Sequence, residues 1–244
     1  MHPTNSKEHY EQLLAAHYSW IFGGLDAQFK RNTTLFSEIF SAPHQGLVID
    51  LGCGSGFQSL PLASMGYNIQ AVDNSPTLLK ELLKNARNKS LTISYHDDNI
   101  ENFIRQYPLQ ADIIICMGDT ITHLASIATV EALLKDAYDK LKNNGQMVIT
   151  YRDFSSVVKG TSKFIPVKST EHKIFSCFLE FHSEYVKVND VVQQWSEGAW
   201  QHEISSYKKV HLPIEQLVNF CHAIGFKSKH SINSDGMTQL ELLK

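Results

Sequence analysis

Val48-Ile49-Asp50-Leu51-Gly52-Cys53-Gly54-Ser55-Gly56 begins as an apolar run and breaks into three alternating glycines, and Asp73 stands at the end of the next apolar run. The four residues ending at Leu51 suit a buried parallel strand. Glycines at the turn remove the side chains that would keep backbone from a ligand. The loop feeds a helix expected over 58–65, whose free N–H groups favour anionic or acceptor groups placed at its start. A second strand, 68–72, ends in Asp73, whose two carboxylate oxygens can accept from both hydroxyls of a ribose. This succession points to a nucleoside-bearing cofactor.

The glycine spacing separates two cofactor families. A dinucleotide fingerprint, G-x-G-x-x-G, needs glycine where this chain has Phe57, and here the glycines fall as G-x-G-x-G. That loop resembles motif I of the class I S-adenosylmethionine-dependent methyltransferases, in which it passes under the methionine part of the cofactor. The resemblance implies S-adenosyl-L-methionine as methyl donor and S-adenosyl-L-homocysteine as product.

Alternating elements continue outward from this stretch. Strands are expected over 47–51, 68–73, 91–96, 111–117 and 146–151, with helices over 58–65, 76–88, 100–106 and 128–141 between them. Such β-α repetition means a parallel sheet covered on both faces. Ser75 can cap the third helix and Pro76 suits its first position. Before the sheet, helical periodicity runs over 8–20 and 25–40, broken by Gly23-Gly24. After it the period becomes two, over 174–182, 184–195 and 200–207, with turns expected at Asn189-Asp190 and Glu197-Gly198. A last helix, 213–224, precedes two closing strands, 226–232 and 238–243. The expected fold class is α/β: a Rossmann-like seven-stranded methyltransferase sheet, mostly parallel with an antiparallel last strand. The parts are a helical lid over 1–45, a core over 46–158 and 212–244, and an inserted antiparallel ribbon over 159–211.

Bulk properties exclude several classes. With a formal charge of −3 and four arginines, the chain shows no basic stripe for nucleic acid. No apolar stretch approaches the ~20 residues of a membrane span, and the polar start lacks a signal-peptide apolar region, so a cytoplasmic protein is expected. Cys53, Cys116, Cys177 and Cys221 form no C-x-x-C pair, and the 12 histidines form no compact ligand pattern, so no metal is expected.

Open α/β sheets bind ligands beyond the carboxyl ends of their strands. Asp50, Gly52, Cys53 and Gly54 end the first, and Asp50 can reach a methionine amino group. Asp73 and Asn74 end the second, at the ribose. At the third, the resemblance implies a carboxylate or amide on the adenine, among Asp97, Asp98 and Asn99. Met117 and Gly118 end the fourth, beside the sulfonium and its amino acid tail. Tyr10, Tyr18 and Trp20 on the lead-in helices could cover the cofactor, although core packing explains them almost as well. Asp73 could equally cap a helix, and 97–99 could be a solvated turn. Acids after both the second and the third strand are expected for an adenosine ligand and are not demanded by folding.

Two further runs are similar to glycine and sarcosine N-methyltransferases. Gly118-Asp119-Thr120-Ile121-Thr122-His123-Leu124 resembles their G-N-S-F-A-H-L run, and Tyr151-Arg152-Asp153-Phe154 resembles their H-R-N-Y run. In that family the arginine, here Arg152, grips the carboxylate of an amino acid substrate. Asp119 replaces an asparagine that helps hold the same carboxylate, and would repel an acid. The resemblance thus implies a small polar substrate, an amine or amino acid derivative, with Arg152 and Asp119 as opposite anchors unless they merely brace each other. His123 is a candidate general base or a packing residue. On the ribbon, Trp200, His202 and Ile204 share a face that could roof the pocket or join a second copy in a homodimer. Competing readings are methylation of protein or RNA, a cofactor-binding module without catalysis, and a nicotinamide oxidoreductase.

Overall fold

The structure, a computed structural model, describes residues 5–40, 45–233 and 236–244. Residues 1–4 and 41–44, which belong to the expected 1–45 lid, lie outside the described residues. Five strands run parallel: β1 (Leu47–Leu51), β2 (Asn68–Asp73), β3 (Ser94–Asp97), β4 (Ala111–Cys116) and β5 (Leu141–Tyr151). Two closing strands, β10 (Lys227–Ile232) and β11 (Thr238–Leu243), complete a sheet of order β10-β11-β5-β4-β1-β2-β3. β11 lies between β5 and β10 and is antiparallel to both.

Period-two alternation inside the buried strands feeds two helical layers. Ile49, Leu51, Ile114 and Ile149 join one cluster with Leu133, Leu134 and Leu217. Those leucines come from α7 (Ile127–Lys140) and α8 (Ile214–Ile224), and α6 (Ile100–Gln106) adds Phe103 and Ile104 to the same cluster. Val48, Ile113, Ile115 and Val148 point the other way and meet Phe36, Leu60, Leu79 and Leu82. This second layer consists of α3 (Leu25–Ile39), α4 (Ser59–Ser64) and α5 (Pro76–Asn88). Successive crossovers leave β1 in opposite directions, first to β2 and β3 and then to β4 and β5, so the β1/β4 boundary is the switch point where ligands bind. α5 starts as expected, with Ser75 Oγ accepting from Leu78 N at 3.2 Å and Pro76 in its first turn.

The inserted region departs from the sequence reading in two ways. It is a four-stranded antiparallel sheet: β6 (Phe164–Ser169), β7 (Lys173–Phe181), β8 (Tyr185–Ser196) and β9 (Ala199–Val210). β6 is an edge strand with a register shift near Pro166, and proline there removes no interior ladder bond. Nor is there a turn at Asn189-Asp190: both residues lie inside β8, Asp190 opposite Cys177 on one side and Ser205 on the other.

Asp190 stays in the strand because it has a buried partner. Val186, Val188, Asp190 and Val192 share the buried face of β8, and His9 meets Asp190 there, with Nε2 2.9 Å from Oδ2. His9 Nδ1 lies 2.8 Å from Ser205 Oγ, and its ring stacks on Tyr207 with centroids 4.2 Å apart. The expected uniform helix over 8–20 is accordingly interrupted. After α1 (Ser6–His9), the winding loosens to a π turn over Tyr10–Leu14, tightens to 3₁₀ over Ala15–His17, and resumes as α2 (Tyr18–Ile21). His9, Leu13 and Leu14 are all buried through this change.

Candidate active site

The glycine loop is pinned to the neighbouring strand. Gly52 N–H and Cys53 N–H both donate to Val72 O, at 2.8 and 2.9 Å. Gly52 has φ +82°, and a Cβ there would sit 2.4 Å from Thr120 Cγ2, so the loop and the turn after β4 touch only because that side chain is absent. Asp73 braces the arrangement: one oxygen accepts from Gly54 N–H at 2.8 Å and the other from Ser75 N–H at 2.9 Å. Burial pushes its carboxyl above the usual range despite those bonds. Each oxygen retains accepting capacity for a ribose hydroxyl.

Asp50 lies beneath the loop, fully buried, with Ser59 Oγ donating to it at 2.6 Å. Burial raises its pKa to about 7, against the opposing Ser59 bond, so a nearby cation would restore its charge. At the third strand, Asp97 ends β3 in register with Asp73, and Asp98 N–H donates to Asp73 O at 3.2 Å. Asn99 is the member of the three that reaches the cavity wall, and its Oδ1 accepts from Asn74 Nδ2 at 3.1 Å.

The turn after β4 is held from three sides. Asp119 has φ +76° and carries its N–H to Thr150 O at 3.0 Å. Its Oδ1 accepts from Arg152 N–H at 2.6 Å, and its Oδ2 accepts from Lys209 Nζ at 2.8 Å. Burial would raise this carboxyl, but the Lys209 charge and the hydrogen bonds from Lys209 and Arg152 N–H hold it below the usual range. Arg152 Nε is 3.9 Å from the same Oδ2, and the guanidinium is about half exposed. Neither Asp119 nor Arg152 lies on the cavity wall. The two expected anchors therefore brace neighbouring loops, and Lys209, which the sequence reading missed, is the buried cation that Asp119 serves.

His123 does face the cavity. Its Nε2 is buried without a hydrogen-bond partner, while the rings of Tyr10 and Tyr207 approach to 5.6 and 5.3 Å. Burial, reinforced by Lys209, lowers its pKa to about 3. The imidazole is therefore neutral near pH 7, a weak base but a capable hydrogen-bond partner.

These groups surround a cavity of about 1060 Å³. Gly52, Gly54, Asp73, Asn74 and Asn99 line it from the ends of the first three strands, Gly118 and His123 from the turn after β4, and Lys208, His211 and Gln216 from the end of β9, the residues after it and α8. Tyr18 covers the glycine loop: a Cβ on Gly54 would meet its hydroxyl at 3.3 Å, and its ring stacks on Phe57 at 5.4 Å. Trp20 does not line the cavity; it packs with Leu13, Leu14, Phe175 and Val192 beneath Lys173 Nζ, 4.7 Å from its ring. Cys53 and Met117 are buried behind the wall. Trp200, His202 and Ile204 are exposed and outside the lining, so the outer half of β9 does not roof the pocket. The outer lining residues were not foreseen, because the residues after β9 and on α8 meet only in three dimensions.

An acid-tipped strand beside an open glycine turn suits an adenosine carrying an amino acid tail, with Asp73 facing a ribose and Asn99 a base, while Asp50, fully buried, lies behind the cavity wall and does not line it. A family model described as a methyltransferase domain matches residues 48–145. Those residues resemble a methyltransferase domain, and the sheet order is the fold of solved S-adenosylmethionine-dependent methyltransferases. It is similar to a glycine/sarcosine N-methyltransferase of Parasynechococcus marenigrum (strain WH8102), 29% identical over 115 residues that cover 47% of this chain and 41% of that protein. A second glycine/sarcosine N-methyltransferase, from Aphanothece halophytica, is 22% identical over 180 residues, 74% of this chain and 66% of its own. The chain thus spans less than two thirds of either relative's length. Among solved structures, the CcbJ methyltransferase from Streptomyces caelestis matches with a TM-score of 0.79 at 15% identity, covering 96% of this chain and 97% of that one. Among the described residues, no helix is long and apolar enough to cross a membrane.

Proposed function

We propose that this chain transfers a methyl group from S-adenosylmethionine to a nitrogen or oxygen of a small polar molecule, an amine or amino acid derivative. The observation that carries this reading is the continuity of one cavity from Asp73 to His123 and on to Lys208 and His211. Its volume of about 1060 Å³ offers room for a second reactant beside an adenosine. The cofactor, when bound, supplies a methyl group made electrophilic by its sulfonium. Asp73 and Asn99 hold and orient it, and Tyr18 excludes water from above. His123, neutral and unpartnered, engages the substrate's polar hydrogen or lone pair and aims the nucleophile at the methyl. Positioning alone can supply ~7 to 11 kcal/mol, so a nucleophile that is already neutral needs no strong base. Similarity to glycine/sarcosine N-methyltransferases supports an amine acceptor. The carboxylate clamp expected at Arg152 is not supported, since that side chain lies off the cavity wall.

Calorimetric titration with S-adenosylmethionine and S-adenosylhomocysteine, followed by a screen of small amines, amino acids and phenols for release of S-adenosylhomocysteine, tests the reading. Turnover with at least one of them is expected. Binding without turnover of any acceptor would make the chain a cofactor-binding module instead.

The N-terminal segment acts as the lid in this reading. Glu11 accepts from Thr77 Oγ1 at 2.7 Å and from Ser75 Oγ, the group that caps α5 beside Asp73, and Ser19 Oγ donates to Glu81 on the same helix. Burial raises the Glu11 carboxyl but those bonds outweigh it, and its pKa is lowered on balance. The latch therefore holds above the ordinary carboxylate range and loosens as pH falls through the lowered pKa. Glu11→Ala should speed S-adenosylhomocysteine release by roughly tenfold, the equivalent of about 1.4 kcal/mol, in a stopped-flow displacement measurement. An unchanged off-rate would remove the latch from the exit path.

A further inference from the structure

Lys209 is 6% exposed, on a strand of the inserted sheet, yet its Nζ bonds a carboxylate of the core sheet 90 residues away. It occupies a position of buried parity on β9, opposite Val186 and two residues from Tyr207, where the pattern calls for an apolar side chain. A buried ion pair is poor evidence for stability, because desolvation offsets most of the attraction; its best-attested use is to specify an arrangement. Here the arrangement is plain. Asp119 is a non-glycine residue at φ +76°, stitched through its backbone to Thr150 and through its side chain to Arg152 N–H and Lys209. Four residues on, His123 presents a buried, unpartnered Nε2 between the rings of Tyr10 and Tyr207.

We propose that Lys209 is a positioning residue for methyl transfer: through its buried bond to Asp119 it fixes the turn of residues 118–123, and with it the His123 ring, against the cavity. The Lys209 ammonium also sets the electrostatics of that ring. The groups facing His123 are Lys209 and Tyr207 from β9, Asp119 from its own turn, and His9 and Tyr10 from the N-terminal segment. After burial itself, Lys209 is the strongest influence keeping the imidazole neutral, and Asp119 opposes it. Losing the cation while the anion remains should therefore let His123 take up a proton more readily.

This inference rests on the proposed methyl transfer for its purpose, but its first readout needs no methyl acceptor. In histidine-labelled protein, with His123→Asn assigning the signal, the ring should stay neutral from pH 8 to about pH 5 in the native chain. Lys209→Met should raise the His123 midpoint by about one pH unit or more, and Lys209→Arg should leave it near the native value. A folded Lys209→Met protein with an unshifted His123, or Lys209→Arg shifting as far as Lys209→Met, overturns the proposal. Should Lys209→Met not fold, Asp119→Asn reports on the same bond, since asparagine tolerates a positive φ. Its amides over 119–123 should exchange at least tenfold faster than native, and unchanged exchange overturns the proposal. Failure of the functional reading is separate: it appears as absence of S-adenosylmethionine binding in the native chain.

Discussion

Asp73→Ala should weaken S-adenosylmethionine binding by roughly 100-fold or more, measured by calorimetry on folded protein. In the proposed complex the carboxylate accepts from two ribose hydroxyls, and hydrogen bonds to a charged group contribute about 1.5 to 3 kcal/mol each. Two such bonds give about 3 kcal/mol at the low end, and every 1.4 kcal/mol is tenfold in affinity. A second loss adds to the first. Asp73 holds Gly54 N–H and Ser75 N–H, so its removal also frees the glycine loop from the start of α5. Asp73→Asn keeps one acceptor oxygen and should fall between the two. Binding by Asp73→Ala within tenfold of native would place the ribose elsewhere.

His9→Ala should cost roughly 3 to 5 kcal/mol of stability, because it strands Asp190 as a buried carboxylate with no imidazole partner. For a domain of this size that corresponds to a melting temperature lowered by roughly 6 to 20 °C. The loss includes stacking on Tyr207 and the Ser205 contact. Removing both partners together, as His9→Leu with Asp190→Val, should recover much of the loss, since an apolar pair of similar volume avoids the desolvation cost. Thermal denaturation of the three proteins checks this. Equal melting temperatures for His9→Ala and the native chain would show that the N-terminal segment is not fastened to the inserted sheet in solution. Because that segment also carries Tyr10, Glu11 and Tyr18, loosening it should weaken cofactor retention in parallel.

The core was legible because its information is local. Buried parallel strands are short apolar runs, and glycines, caps and acids follow them within a few residues, so 48–56, Asp73, Ser75-Pro76 and Gly118 could be placed in order along one sheet edge. β6 escaped notice because an edge strand with Pro166 and mostly exposed side chains carries little alternation. The supposed turn at Asn189-Asp190 shows the opposite error: composition suggested a loop, while the parity of Val186, Val188 and Val192 placed Asp190 on a buried face. Lys209 carries the same signal on β9. A charged residue at a buried parity position announces a partner without naming it.

From residues alone, the chain determined its α/β core, the glycine loop after β1 and the placing of Asp73 at the end of β2, since neighbours in sequence fix strand, turn and cap. Only the tertiary structure decided that Asp119 answers Lys209, that His9 answers Asp190, and that His123 is left neutral and unpartnered at the cavity. Those pairings join residues 90 and 181 positions apart, and burial and charge depend on what the fold brings together across such distances.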